Sequence, residues 1–118
     1  MSLRCLIVDD NAQFLQAASM LLERQGMTVV GVASNAADAL QQVRELRPDV
    51  VLVDIVLGHE SGFDLARELA GGDGDGPTVI LISTRAEADF ADLIAETPAA
   101  GFVGKSDLSR EAIRRLAR

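Results

Sequence analysis

Three carboxylates, a hydroxyl and an ammonium stand directly behind short apolar runs in this sequence. Asp9 and Asp10 follow Leu6, Ile7 and Val8. Asp54 follows the run at residues 50–53, Ser83 and Thr84 follow the run at 79–82, and Lys105 follows Gly104 at the end of a further run. Clustered carboxylates repel one another, and burying them unpaired is costly. A hard dication relieves that repulsion. Magnesium prefers oxygen ligands and keeps several waters, so two carboxylates plus a backbone carbonyl suit it, and a metal so held can bridge a phosphate. Lys105 can pair with a carboxylate at rest and with a phosphoryl oxygen after transfer, and Ser83 can donate a hydrogen bond to another. Asp54 is then the natural nucleophile, because carboxylates form aspartyl phosphates. Phosphoryl transfer asks mainly for positioning and charge neutralisation, which these residues supply.

The elements that must bring them together are legible in the hydrophobic pattern. Strands are expected at residues 3–8, 28–33, 50–53, 78–82 and 100–103. Three of these runs are almost wholly apolar, which fits parallel strands covered on both faces. Between them lie stripes at helical spacing. The first comprises Phe14, Leu15, Ala18, Leu21 and Leu22 and ends near Gly26. The second is Ala36, Leu40, Val43 and Leu46, stopped by Pro48, and the third is Gly62, Leu65, Ala66 and Leu69. The fourth is Ala86, Phe90, Leu93 and Ile94, with Thr84 and Glu87 spaced as a capping box. The fifth is Leu108, Ala112, Ile113 and Leu116. Five βα units with right-handed crossovers give an α/β fold, a five-stranded parallel sheet with helices on both faces. In such a sheet ligands bind beyond the carboxyl ends of the strands, where Asp9, Asp10, Asp54, Ser83 and Lys105 all fall.

A length of 118 residues suits one domain. The net charge of −7 repels phosphate backbones, and the absence of Trp and Tyr removes stacking platforms, so direct nucleic-acid binding is not expected. One cysteine, Cys5, excludes an internal disulfide and fits a small core residue in a reducing, cytoplasmic compartment. No apolar run approaches the roughly 18 residues of a membrane span. The stretch 70–76 carries two Asp but is too short for a calcium loop and lacks its closing Glu, so it reads as a solvated loop. His59, the single histidine, reads as an exposed loop residue. Arg114, Arg115 and Arg118 read as the basic end of the last helix.

The segments LIVDDN, VVLVDI with Gly62 eight residues after Asp54, VILIST and GFVGK resemble the receiver domains of bacterial two-component response regulators over essentially the whole chain. The resemblance implies a flavodoxin-like (βα)5 fold with strand order 2-1-3-4-5 and one receiver domain spanning 1–118. It implies Asp54 as phosphoacceptor, Mg2+ bound directly by Asp10 and Asp54, through water by Asp9, and by the carbonyl of Val56. Ser83 and Lys105 would contact the phosphoryl group, and Phe102 fills the switch aromatic position. The implied partners are a sensor histidine kinase and a second copy of the chain, docked on the fourth helix, fifth strand and fifth helix. GFVGKSDLS is nearer to receivers joined to a helix-turn-helix output domain; a stand-alone receiver acting by protein contact is the alternative. Gly58 and Ser106 stand where many receivers have Pro.

Rival readings fit less well. A small phosphatase or mutase with an Asp nucleophile wants a second Asp two residues on, where this chain has Val56. A flavodoxin-like carrier wants a Ser/Thr-rich phosphate loop after the first strand, where this chain has DDNAQ. A scaffold without phosphorylation would not need the intact acidic set.

One local expectation is directly checkable. A cis bond before a non-Pro residue costs about 2.5–4 kcal/mol, against about 0.5–1 before Pro. The Lys105–Ser106 peptide is therefore expected to be trans, with Gly104 supplying backbone freedom, Ser106 capping the fifth helix near Leu108 or Ser109, and Lys105 still aimed at Asp54. An ω near zero, or an ammonium turned away from Asp54, would contradict this.

Overall fold

The computed structural model describes residues 3–70 and 76–117, apart from the side chains of Glu87 and Ala88. The acidic glycine-rich stretch 71–75 and the carboxylate half of the expected Thr84–Glu87 capping box lie outside the described residues, as does Arg118. Five strands form the sheet: β1 (Arg4–Val8), β2 (Thr28–Ala33), β3 (Val50–Asp54), β4 (Thr78–Ser83) and β5 (Gly101–Gly104). Their order is β2-β1-β3-β4-β5, and every neighbouring pair is parallel. The inner strands β1, β3 and β4 are buried on both faces, which is why they are apolar at consecutive positions.

Period-two alternation sorts the strand residues onto two cores. On one face Leu6, Val8, Val51, Val53, Val79 and Leu81 pack with Ala39 of α2 (Ala36–Leu46) and with Leu65, Ala66 and Leu69 of α3 (Gly62–Ala70). On the other, Cys5, Ile7, Val50, Leu52, Ile80 and Ile82 pack with Leu15, Ala18 and Leu22 of α1 (Ala12–Arg24) and Ile113 of α5 (Arg110–Leu116). Burial pushes the Cys5 thiol up to about 12, consistent with an inert core side chain. Among the described residues, no helix is long and apolar enough to cross a membrane.

The helix starts carry side-chain caps that locate them. The Asn11 side chain accepts from Phe14 N–H, Asn35 from Asp38 N–H, and Ser109 from Ala112 N–H. Gly26, at φ 92°, closes α1 as its position suggested. Three local expectations are corrected. The fourth helical segment is a 3-10 turn, Glu87–Phe90, followed by a short α4 (Ala91–Ala95). It is entered at Ala86, which has no side chain to cap it. Only Phe90 and Ile94 of its expected stripe pack on the core; Ala86 and Leu93 are exposed. Ser106 does not cap the fifth helix. It lies in the 3-10 turn Lys105–Asp107, and α5 begins later, behind Ser109. Leu21 faces solvent in part, leaving Leu15, Ala18 and Leu22 as the buried stripe of α1.

A short antiparallel hairpin, Val56–Leu57 with Glu60–Ser61, follows β3 and turns at Gly58, φ 60°. Glu60 accepts from the Ala36 N–H at 3.0 Å, so this hairpin caps the start of α2. Gly62 then donates its N–H to the Ile55 carbonyl at 2.8 Å. A Cβ on Gly62 would fall onto the Asp54 carbonyl oxygen and 2.8 Å from Ile55 Cα. Helix α3 thus abuts the end of β3 backbone to backbone. Gly62→Ala is expected to lower stability by about 1–3 kcal/mol through forced overpacking. Urea unfolding followed by far-UV circular dichroism measures this, and an unchanged midpoint would contradict it.

Candidate functional site

Parallel register brings the ends of β1, β3, β4 and β5 to one edge. Val8 is paired with Val53, Asp54 with Ile82, and Ser83 with Gly104. Asp9 and Asp10 leave β1 at that edge, Asp54 and Ser83 are the last residues of β3 and β4, and Lys105 follows β5. The Lys105–Ser106 peptide is trans, since the chain has no cis bond among the described residues.

Lys105 reaches across the edge. Its Nζ donates to Asp54 Oδ2 at 2.9 Å and lies 2.6 Å from Asp9 Oδ2. Asp9 is fully buried. Its Oδ1 accepts from Asn11 N–H at 2.9 Å, whereas Oδ2 makes no aligned hydrogen bond and is held by the nearby charge alone. Asp54, 7% exposed, accepts from the Val56 N–H through Oδ1 at 3.1 Å. Asp10 is exposed at the rim. Ser83 is buried, and its Oγ accepts from the Arg85 N–H at 3.0 Å. Val56 is exposed beside Asp54, Phe102 is half-buried and packs against the α2–α3 core, and Thr84 and His59 are exposed.

The electrostatics follow from this placement. Burial raises the Asp54 carboxyl above its usual range. The hydrogen bonds from Lys105 and Val56 pull it down, and the Asp9 charge adds to the rise. Burial disfavours the Lys105 ammonium, but its contacts with Asp9 and Asp54 outweigh that and raise its pKa overall. Carboxylate oxygens of Asp9, Asp10 and Asp54 lie within 4.8 Å of one another. Three acids against one ammonium, with a buried oxygen lacking an aligned donor, fit a divalent cation.

The sequence-selected residues Asp9, Asp10, Asp54, Ser83 and Lys105 thus meet at one edge. Pattern reading missed Phe14, whose ring lies under Lys105, and the Asn11 N–H that orients Asp9. Asn11 follows the acidic pair directly and Phe14 stands in the first turn after it, which is the signal that was available.

A five-stranded parallel sheet with an acidic cluster, hydroxyl and lysine at its carboxyl edge defines a receiver-type phosphoacceptor fold. The family profile described as response regulator receiver domain matches residues 5–117, and the chain belongs to that family. It is 31% identical over 115 residues to the DNA-binding response regulator MtrA of Mycobacterium tuberculosis, covering 96% of this chain and 48% of that protein. It is 34% identical over 104 residues to a protein-glutamate methylesterase/protein-glutamine glutaminase of Myxococcus xanthus, covering 87% of this chain and 30% of that protein. A two-component response regulator of the LuxR family from Aurantimonas superposes with a TM-score of 0.88 at 27% identity, over 99% of this chain and 86% of that one. The chain spans about half the length of the first curated relatives it matches.

The raised Asp54 pKa has a stability consequence. A carboxyl that binds its proton more tightly folded than unfolded stabilises the fold below the unfolded pKa. That contribution is lost as pH rises through the folded pKa. Without divalent cations, Asp54→Asn is therefore expected to raise stability at neutral pH by about 1 kcal/mol, Lys105 keeping its contact with Asp9. The gain should shrink as pH falls toward the carboxylate range. A thermal melt series against pH checks it, and a loss of stability at pH 7 would contradict it.

Proposed function

We propose that this receiver is switched by a phosphoryl group accepted on Asp54 from a phosphohistidine of a sensor histidine kinase. The observation that carries this reading is the Lys105 ammonium bridging Asp9 and Asp54 at the carboxyl edge of the sheet. An Asp54 carboxylate oxygen attacks phosphorus, the nitrogen–phosphorus bond breaks, and the imidazole leaves with its electron pair. Lys105 then has a phosphoryl oxygen to contact in place of the carboxylate oxygen consumed, and Ser83 Oγ–H can donate to another. Asp10, Asp54 and the Val56 carbonyl, with Asp9 through water, would hold Mg2+, which would supply charge neutralisation and orient the phosphoryl oxygens. The chain assists gain and loss of its own phosphoryl group and catalyses no other turnover.

The readout runs through Ser83 and Phe102. An open cavity of about 530 Å3 lies between Ser83, Arg85, Phe102 and Asp107, leaving room for Phe102 to turn inward as Ser83 shifts. That changes the face made by α4, β5 and α5, where a second copy or an output domain would dock. The similarity to MtrA, over 48% of that DNA-binding regulator, favours a transcriptional output over a stand-alone role. The DNA contacts would then belong to that output domain, and a cytoplasmic setting suits both partners.

Incubation with acetyl phosphate and Mg2+ should add one phosphoryl group by intact mass. Asp54→Asn or a chelator should abolish it, and equal labelling of Asp54→Asn would overturn the assignment. On phosphorylation, amides of α4 and of Phe102 should shift in NMR spectra. Perturbation confined to the acidic pocket would rule out this route of switching.

A further inference from the structure

Lys105 is the only lysine of the chain, and a third contact holds it besides the two carboxylates. Its Nζ lies 4.4 Å from the centroid of the Phe14 ring. Phe14 stands in the first turn of α1, and its own N–H donates to the Asn11 cap at 3.1 Å, which fixes the backbone that carries the ring. The side chain is half-buried and packs against the core shared by α1, α5 and the sheet. On sequence it is one member of an apolar stripe; the geometry gives it a second task.

We propose that Phe14 is a positioning residue for Lys105, its ring face holding the ammonium over the carboxylate cluster by a contact that uses no carboxylate oxygen. The inference rests on the reading of Asp54 as phosphoacceptor. The face of an aromatic ring is electronegative, and its attraction for a cation grows as water is excluded; here the ring is half-buried and the Lys105 side chain is 13% exposed. Asp9 and Asp54, which Lys105 contacts, belong to the same carboxylate cluster that fits a divalent cation. Ammonium and divalent cation therefore compete for those acids, whereas the ring is available to Lys105 alone. With the acids engaged elsewhere, the ring keeps the ammonium at the pocket, ready for a phosphoryl oxygen. Leucine at this position would keep the apolar packing and lose the hold.

The test uses the whole chain labelled with 13C-lysine, so that one lysine supplies every signal. In the wild type the ε-methylene protons of Lys105 should lie upfield of those of a free lysine side chain, and should stay there when Mg2+ saturates the protein. Phe14→Leu should abolish that shift and slow phosphorylation by acetyl phosphate and Mg2+ by about three- to ten-fold, the scale of one partly desolvated cation–aromatic contact. Phe14→Tyr, which keeps the ring, should retain the shift and a rate within about two-fold of wild type. Three results would each overturn the proposal: no upfield shift in the wild type, a wild-type rate in Phe14→Leu, or equal slowing in Phe14→Tyr. The first needs no variant to fold. If the wild type gains no phosphoryl group on Asp54, the phosphoacceptor reading and the positioning role fall together, and the lysine shift still decides whether the contact exists.

Discussion

The Lys105 ammonium ties together parts of the chain that are far apart in sequence. It leaves the end of β5, crosses the sheet edge and meets acids carried behind β1 and at the end of β3. Without it, Asp9 would be a fully buried carboxylate with one oxygen facing neither donor nor cation. The cluster exists because the fold pays a repulsion among acids that a single cation only partly offsets. That residual negative charge is what makes the cluster fit a divalent ion.

The sheet makes this placement possible. In a parallel sheet all carboxyl ends point one way, so residues that follow strands become neighbours without any local sequence signal linking them. The inner strands are anchored on both faces, which holds Asp9, Asp54 and Ser83 on a rigid frame. Asn11 serves twice: its side chain caps α1, and its backbone N–H orients Asp9. The start of a helix and the orientation of a site acid are thereby set by the same residue.

The strand–helix alternation and the convergence of acids and lysine were legible because they rest on long, strongly periodic segments. The hairpin after β3 was not, because two residues per strand carry no periodicity, and only Gly58 marked its turn. Ser106 and Ser109 stand three residues apart, and either could begin a helix; packing of Leu108 and Ile113 decided for the second. The fourth helix was read as longer than it is because Leu93 and Ala86 share its period without facing the core. Phe14 looked like core because an aromatic on an apolar stripe carries no mark of the cation it meets through a distant loop.

The abutment of Gly62 against the Asp54 carbonyl gives the pocket unequal walls. On that side backbone meets backbone, and Glu60 fastens the adjoining hairpin to α2, so a disturbance at Asp54 meets a stop. On the opposite side Ser83 is joined to the next loop through the Arg85 N–H, a cavity lies behind it, and the five-residue α4 rests on few apolar contacts. Force applied at Asp54 therefore has one compliant exit. The direction in which such a molecule gives way is set by where a side chain is missing.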